Sequence, residues 1–355
     1  MLRQQEIHDR ADWNARLRNL SGAHVLQTWE WGEFKRVTTG WQPLRLALLQ
    51  GKQTVAMVSI GMRRHGPLRV MYAPRGPILA WEDATLRAAV LEHLQGITRR
   101  HGALWLKIDP DLPLASGLPG AVEDRPHPPG QALVQELGAR GWRLSADQVQ
   151  FRNSIQIDLS ASEDELLASF SPNTRRKIRL AERREVQVRV AGVDDLDMLY
   201  GLYRITGARD GFLIRPAAYY RQAWGDFLQA GLAQAMIAEY RGVPLAQVIL
   251  FHFGERCFYF YGASTNEQRQ RLPNHLLQWE AIRWARAQGY RLYDLWGAPD
   301  VFDESDPLWG VYGFKRGFRG RITRGVGAWD YAPSPLFYRL WNAAWPRLQR
   351  LRRLR

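Results

Sequence analysis

At 355 residues, with 46% apolar and 24% charged side chains, the chain is long enough for two hydrophobic cores, which excludes a single small module. Its single cysteine, Cys257, excludes an internal disulfide and a multi-thiolate metal site, and no apolar run approaches the ~18 residues of a membrane span. The formal net charge is +14, with eight basic residues and one acidic residue in 320–355 and seven basic and two acidic residues in 171–191.

These two basic segments predict a polyanionic partner such as RNA, nucleotide phosphates or an anionic membrane surface, because each phosphate contact adds to the affinity. The alternative is that surface arginines serve only to keep the protein soluble. The first ten residues lack the apolar stretch of a signal peptide, so we expect a cytoplasmic location.

In chain order, the first elements are two strands joined by a turn at Gly51, within residues 44–64. An amphipathic helix, a turn at Gly102 and an apolar strand that ends at acidic residues follow in 86–111. The next segment, 109–130, is rich in proline and shows no periodicity, so we expect a surface loop there.

Two short helices are predicted next. Ser162 with Glu165 forms a capping-box pattern, and Ser171 before Pro172 is typical of a cap and a first helical turn. We call residues 162–185 the basic arm.

The second helix of the basic arm has a charged ridge. Arg175, Arg179 and Arg183 recur every four residues and therefore share one helix face, with Arg176 beside them. This pattern is typical of a nucleic-acid-binding surface, and the alternative is a solvated helix face.

The first pattern then recurs. Residues 233–253 again predict two strands, joined at Gly242, and 276–300 again predict a helix, a turn at Gly289 and a strand. The corresponding turn glycines are offset by 191 and 187 residues, so the spacing is kept within four residues. We infer that one fold occurs twice in the chain.

The repeat sets the predicted architecture, an α/β fold with mixed sheets in two domains. We assign residues 1–152 to the first domain and 153–319, with the basic arm, to the second. Residues 320–355 are expected to complete the first domain.

Several common catalytic patterns are absent from the sequence. It contains no GxSxG, HExxH or GxxxxGK[ST] motif and no GxGxxG after a strand, and its eight histidines are scattered, so we expect no metal site. The element order is that of GNAT-type acyltransferases, yet neither 76–90 nor 265–280 has the closely spaced glycines that hold the pyrophosphate of coenzyme A. We therefore expect an acyl donor other than a small CoA thioester.

Five segments resemble the FemABX peptidyltransferases over nearly the whole chain. They are LQTWEWGEFKRVTTGW (26–41), SPNTRRKIRLAERREVQV (171–188), FYFYGASTNEQRQRLPNHLLQWEAIRWA (258–285), YDLWGAP (293–299) and LWGVYGFKRGFRG (308–320). The resemblance implies two tandem GNAT-like domains. It also implies transfer of an amino acid from aminoacyl-tRNA to the side-chain amine of the third residue of the peptidoglycan stem peptide, on a UDP-linked precursor or on lipid II. Aminoacyl-tRNA is then a co-substrate, and no cofactor is expected.

The resemblance also implies roles for single residues. Lys35 and Arg209 match phosphate contacts of the acceptor, and Tyr261 matches an aromatic acceptor contact. Strand alternation places Tyr259 and Tyr261 on one face of their strand and Phe260 on the other. The alternative for these rings is core packing.

The transfer chemistry is implied to involve two further positions. Lys315, with Phe314 beside it, matches the lysine of the donor site, where a cation would stabilise the charge that develops on the ester oxygen. Asp109 matches an aspartate that could take a proton from the attacking amine or hold its ammonium form. The resemblance implies tRNA binding through Arg175, Arg176, Arg179 and Arg183.

Two other functions stay open at this point. One is an acyltransferase that uses another acyl carrier, and the other is a non-catalytic RNA-binding protein. The tail, 332–355, interleaves Leu, Phe and Trp with arginine, which would suit either a membrane surface or RNA, although Pro346 interrupts a single helix. The basic arm lacks the long coiled-coil insertion of some family members.

Overall fold

The computed structural model describes residues 2–341. Its strands are, in chain order, β1 (Arg3–Glu6), β2 (Gln42–Gln50), β3 (Gln53–His65), β4 (Leu68–Ala73), β5 (Ile78–Leu79), β6 (Ala103–Ile108), β7 (Pro113–Ser116), β8 (Arg125–Pro126), β9 (Arg143–Leu144), β10 (Asn153–Asp158), β11 (Gln187–Ala191), β12 (Ala233–Tyr240), β13 (Val243–Phe253), β14 (Arg256–Ser264), β15 (Leu292–Asp294), β16 (Arg321–Gly325) and β17 (Trp329–Tyr331).

The helices alternate with these strands. They are α1 (Arg10–Arg18), α2 (Trp29–Thr39), α3 (Ala84–Arg100), α4 (Pro128–Ala139), α5 (Glu163–Ser169), α6 (Pro172–Arg183), α7 (Leu196–Asp210), α8 (Ala217–Gln229), α9 (Pro273–Ala287) and α10 (Trp309–Lys315). Within residues 2–341, no helix combines the length and the apolar character that crossing a bilayer requires.

The predicted repeat is confirmed by two mixed sheets. One contains the run β2–β3–β4–β6 and the other the run β12–β13–β14–β15, and in each the last pair is parallel, whereas the preceding pairs are antiparallel. Gly51 and Gly242 both have positive φ, 62° and 77°, as tight hairpin turns require. Helix α3 or α9 provides the crossover before the parallel strand.

The two sheets also exchange strands. The first sheet has the order β1–β2–β3–β4–β6–β17–β9, with β5 paired to β3, so a strand from near the end of the chain lies between β6 and β9. The second has the order β11–β12–β13–β14–β15–β10–β16–β7–β8. It thus includes two strands, β7 and β8, that precede residue 152 in the chain. Each sheet therefore contains at least one strand from the other side of residue 152, the predicted domain boundary. The division into two domains stays a prediction.

The prediction of an irregular loop over 109–130 is wrong in part. Strands β7 and β8 form there, and β8 lies at the edge of its sheet, where only two residues pair. A strand that begins with proline and an edge strand that contains one are tolerated because a missing N–H at those positions breaks few ladder hydrogen bonds.

The basic arm forms the two predicted helices, α5 and α6. Ser162 and Glu165 make the capping box, and the Ser171 hydroxyl accepts a hydrogen bond from the backbone N–H of Thr174. Ile178 and Ala181 are buried where α6 packs beside α9. The arm is therefore fixed to the second sheet on its apolar face.

One large core joins the two halves of the chain. It contains Trp13 and Phe34 from the first half and Trp224 and Phe227 from the second, all essentially without solvent exposure. Because Phe34 lies on α2, this core sets the position of the helix that carries Lys35.

Helix α4 packs on β7, and Gly130 lies at the point of closest approach. A Cβ built at Gly130 would lie 1.9 Å from the backbone oxygen of Pro113, whereas one built at Gly138 of the same helix meets nothing within 4 Å. We predict that Gly130→Ala lowers the free energy of unfolding by about 1–3 kcal/mol through overpacking. We predict that Gly138→Ala raises it by up to about 1 kcal/mol, because alanine favours the helix. Urea unfolding of both variants checks this, and equal effects of the two substitutions would contradict it.

Candidate functional site

A cavity of about 450 Å³ lies beside α2 and the ends of β3 and β4. Aromatic and basic side chains share its wall. The aromatic residues are Trp31, Trp41, Tyr72 and Trp105, and the basic residues are Lys35, Arg63, Lys107 and Arg215. A cavity with this lining can hold a ligand that combines negative charge with a flat or apolar part.

Lys35 reaches this cavity from the last turns of α2. Its Nζ donates a hydrogen bond of 2.8 Å to the hydroxyl of Tyr219 and lies 4.7 Å from the centre of a Trp31 ring. Among the described residues, no carboxylate oxygen lies within 4.0 Å of Nζ. Burial, and then the nearby charge of Arg215, lower the pKa of Lys35 to about 8. An incoming anion would supply the missing counter-charge.

Arg209 does not line the cavity. Its guanidinium pairs with Asp210 at 2.7 Å and donates to the backbone oxygen of Ser264 at 2.9 Å. Arg215, six residues later, lines the cavity instead, and its guanidinium lies 4.8 Å from the Tyr219 ring. The structure therefore brings Lys35 and Arg215 together, and leaves Arg209 engaged elsewhere.

Asp109 is buried directly behind the cavity wall. Its carboxylate accepts hydrogen bonds from the Tyr72 hydroxyl at 2.6 Å and from the backbone N–H of Arg75. Burial raises the pKa of Asp109 to about 6, although Arg75 and Tyr72 oppose the shift. The group can therefore change its protonation state near neutral pH.

An ion cluster lies next to Asp109 between the two sheets. Asp111 accepts from Arg256 and lies 3.8 Å from a guanidinium nitrogen of Arg75. Although burial alone would raise the pKa of Asp111, Arg256 and then Arg75 lower it to about 2. The two carboxylates thus have opposite pKa shifts, because burial outweighs Arg75 and Tyr72 at Asp109, whereas Arg256 and Arg75 together outweigh burial at Asp111.

Lys315 lies at the end of α10 and is 5% exposed. Its Nζ donates to the backbone oxygens of Trp296 and Gly297, the second at 2.7 Å. These two residues form a turn with φ of 52° and 80°. Burial lowers the pKa of Lys315 to about 8, and the charge of Asp294 opposes that shift.

The residues predicted for the chemistry are connected through Arg75. Its backbone N–H bonds Asp109, its guanidinium lies 5.2 Å from the Trp296 ring, and the Trp296 backbone oxygen accepts from Lys315. Asp109 and Lys315 come from different halves of the chain. The structure places them at two ends of one continuous set of contacts.

Phe314 lies in a second, open cavity of about 580 Å³ on the far side of Lys315. This groove is lined by the start of α6 and by α9 and α10, with Lys177 and Arg316 as its cations and His275 beside the Phe314 ring at 5.1 Å. An aromatic ring with flanking cations is typical of sites that hold the end of a single-stranded nucleic acid.

Tyr261 lies in an aromatic cluster, with ring-centre distances of 5.6 Å to Trp224 and 5.8 Å to Tyr203. The prediction that Tyr259 and Tyr261 share a strand face is wrong. A β-bulge leaves Phe260 unpaired, because Leu250 pairs with Tyr259 and Ile249 with Tyr261. The extra residue sends Tyr259 into the core around α9, and Phe260 and Tyr261 into the core that joins the two halves.

The arginines of the basic arm divide into two kinds. Arg176, Arg179 and Arg183 are exposed. Arg175 is partly buried and donates to the backbone oxygens of Ala168 and Phe170, which ties α6 to the end of α5. Three of the four predicted arginines are therefore free to meet a large ligand.

Four residues of this region were not found from the sequence. They are Tyr72, Arg75, Arg215 and Asp294. The internal repeat could have indicated Asp294, because Asp109 directly follows β6 and Asp294 ends β15, the corresponding strand of the second sheet. Arg215 lies in an irregular segment before α8, where no periodicity indicates a side-chain direction.

The chain matches known proteins over most of its length. A family model described as the FemAB family matches residues 11–241 and 228–345. The lipid II:glycine glycyltransferase of Staphylococcus epidermidis is 25% identical over 393 aligned positions, which cover 91% of this chain and 91% of the relative.

Solved structures show the same architecture. A crystal structure of FemX has a TM-score of 0.83 at 23% identity and covers 95% of this chain and 99% of its own. A tandem GNAT protein from the clavulanic acid biosynthesis pathway has a TM-score of 0.55 at 12% identity, with 94% and 99% covered. The predicted α/β fold with two tandem GNAT-like units is confirmed.

The opposite pKa shifts of Asp109 and Asp111 predict opposite effects of neutralisation. The pKa of Asp109 is raised from 3.8 to about 6, so stability is lost as pH rises through 6, and Asp109→Asn should raise the free energy of unfolding at pH 8 by on the order of 1–3 kcal/mol. The pKa of Asp111 is lowered to about 2, so Asp111→Asn should lower that energy by a similar amount.

Urea unfolding at pH 8 and pH 5 measures both effects. The gain in Asp109→Asn should shrink at pH 5, where wild-type Asp109 is largely protonated, whereas the loss in Asp111→Asn should persist there. A loss of stability in both variants at pH 8 would contradict the assignment of opposite shifts.

Proposed function

This chain belongs to the FemAB family, and we propose that it transfers an amino acid from aminoacyl-tRNA to the side-chain amine of the third residue of the peptidoglycan stem peptide. It is a transferase of peptidoglycan synthesis. The observation that carries the finer proposal is the arrangement around Arg75. A cavity that contains Lys35, which has no carboxylate partner among the described residues, and a basic groove lie on either side of Asp109 and Lys315.

The cavity around Lys35 is the proposed acceptor site. Lys35 and Arg215 would meet a diphosphate, since Lys35 has no carboxylate partner among the described residues, and the aromatic wall would contact the sugar or the base. The acceptor is then a peptidoglycan precursor that carries a diphosphate, either lipid II or its UDP-linked form. The relative from S. epidermidis is named for lipid II.

The proposed reaction is direct aminolysis of an ester. The acceptor nitrogen forms a bond to the aminoacyl carbonyl carbon, the ester C–O bond breaks, and the ribose hydroxyl leaves with a proton that the amine loses. Asp109, with its pKa of about 6, would take that proton or hold the amine before attack. No covalent enzyme intermediate is needed, because positioning and electrostatics suffice.

Lys315 would act at the donor ester. An ammonium has three N–H donors, and the backbone oxygens of Trp296 and Gly297 accept two of them. The third would stabilise the negative charge that develops on the ester oxygen. Because burial lowers the pKa of Lys315 to about 8, this contribution should fall as the pH rises above 8.

The groove at Phe314 and the basic arm are the proposed tRNA site. Phe314 would stack on a base near the tRNA end, while Arg176, Arg179 and Arg183 would meet phosphates further along the acceptor arm. The activated ester arrives with the tRNA, so the reaction as proposed needs no further cofactor.

Contact with the cytoplasmic face of the membrane is also proposed. Leu336, Phe337 and Leu340 are each more than half exposed near the end of the described chain. A short segment with apolar and basic side chains is suited to the surface where lipid II is presented. The rest of the tail predicted to make this contact, 342–355, lies outside the described residues.

The transfer itself can be measured by mass spectrometry. The protein is incubated with a fully charged tRNA pool and a mixture of lipid II and UDP-muramyl-pentapeptide, with and without ribonuclease. We expect one of these acceptors to gain the mass of an amino acid, and we expect ribonuclease to abolish the gain. A gain that survives ribonuclease would favour another acyl carrier, and no gain while the tRNA stays charged would reject the peptidoglycan assignment.

Charge removal on the basic arm tests the tRNA site. The triple variant R176Q/R179Q/R183Q should raise the KM for aminoacyl-tRNA at low salt and leave the KM for the acceptor unchanged. Each lost phosphate contact should also reduce the slope of log affinity against log salt by about 1.

A second triple variant provides the matched control. R204Q/R221Q/R291Q removes the same charge from exposed arginines on other elements of the second half. If both triple variants raise the KM for tRNA equally, the arm is not a specific tRNA contact and only the overall charge matters.

A further inference from the structure

A small polar cavity of about 50 Å³ lies between the two sheets. It is bounded by Arg75, whose backbone bonds Asp109, and by Trp296 and Gly297, whose backbone oxygens bond Lys315. Residues of the cavity wall therefore contact both groups proposed for the chemistry. The functions proposed above for the cavity around Lys35 and for the groove at Phe314 do not use this small cavity.

Asp294 faces this cavity without a cation of its own. Its carboxylate is 3% exposed and accepts from the Ser154 hydroxyl, from the Gln156 amide at 2.9 Å and from the backbone N–H of Trp296 at 2.8 Å. Within residues 2–341, no Lys, Arg or His nitrogen lies within 4.0 Å of it. A buried carboxylate without an ion-pair partner is costly, and a charged ligand would offset that cost.

The other acid on the cavity wall differs in this respect. Asp111 is paired with Arg256 and with Arg75. The arginines are themselves incompletely paired, because the Nε atoms of Arg75 and Arg152, which both line the cavity, are buried without a hydrogen-bond partner. The cavity wall thus combines a carboxylate that has no ion-pair partner with guanidinium groups whose hydrogen bonds are incomplete, as expected of a site for a polar ligand.

The size of the cavity restricts what can enter it. A water molecule needs about 10–15 Å³ on this measure, so the space holds roughly four water-sized groups. A glycyl group has four non-hydrogen atoms, namely the α-nitrogen, the α-carbon and the carbonyl carbon and oxygen. A bulky side chain, such as that of phenylalanine, exceeds this volume.

We propose that this cavity receives the aminoacyl group of the donor and that Asp294 binds its α-ammonium. The inference rests on the proposed function and adds a residue that selects for a small donor with a free amine. The ammonium stays bound to Asp294 while the carbonyl carbon changes its bond from the ribose oxygen to the acceptor nitrogen, so the step needs no additional reactant.

The test compares two donors on one tRNA, glycyl-tRNA and the same tRNA carrying hydroxyacetate in place of glycine. Both donors have the same ester and nearly the same size, but only glycine brings an ammonium. In the wild type, we expect kcat/KM for glycine to exceed that for hydroxyacetate by about 10- to 100-fold, the range of a hydrogen bond to a charged group. In Asp294→Asn, this preference should fall to within about threefold of unity.

Ser154→Ala is the matched control variant. It removes a hydroxyl that bonds the same carboxylate, and it leaves the charge in place. The preference for glycine should therefore persist in Ser154→Ala even if the total rate falls. Asp294→Asn should unfold at no lower urea concentration than the wild type, because it removes a buried charge that has no counter-ion.

Two results would overturn the proposal. One is an equal loss of both donors in Asp294→Asn, which would mean that Asp294 only supports the turn at Trp296. The other needs no variant, namely a wild type that transfers hydroxyacetate as well as glycine, or that transfers phenylalanine as well as glycine. A wild type that transfers nothing from any charged tRNA would instead reject the proposed function itself.

Discussion

Arg75 is the contact on which the site depends. Its backbone, in the left-handed region at φ of 53°, donates to Asp109, while its guanidinium meets Asp111, the Phe151 backbone oxygen and the Trp296 ring. Through its backbone and its side chain, this one residue therefore joins Asp109 and Asp111 to the aromatic turn at Trp296. Because it is 8% exposed, water competes little for these contacts, and the relative position of the two halves is set where the chemistry is proposed.

The internal repeat explains why the functional groups meet at this junction. In each half a parallel strand follows a crossover helix, and an acid lies at the end of that strand, Asp109 in the first half and Asp294 in the second. The two copies have kept the backbone plan and changed the surroundings of the acid. Asp109 lies behind a cavity lined with cations, whereas Asp294 lies in the wall of the small cavity between the sheets, beside the turn at Trp296.

The sequence predicted the features that depend on local pattern. Hydrophobic periodicity and the turn glycines identified both copies of the fold, and the motifs identified the family. Features that depend on tertiary contact were not accessible in this way. The bulge at Phe260 placed Tyr259 and Tyr261 on different faces, although alternation had predicted one face for both. Arg215, rather than Arg209, lines the cavity, and no periodicity predicts the direction of a side chain in an irregular segment. The pairing of β7 and β8 with the second sheet was not predicted, because two-residue strands such as β8 have no detectable alternation.

The exchange of strands also affects when the first sheet can fold during synthesis of the chain. Strand β17 lies between β6 and β9, so the first sheet cannot close until residues 329–331 have left the ribosome. At about 5–20 residues per second, synthesis from residue 144 to residue 331 takes roughly 10 to 40 s. During that time the edge of β6 is unpaired in the nascent chain, and such an edge is a template for aggregation. The first sheet is therefore completed only after all strands of the second sheet have been synthesised.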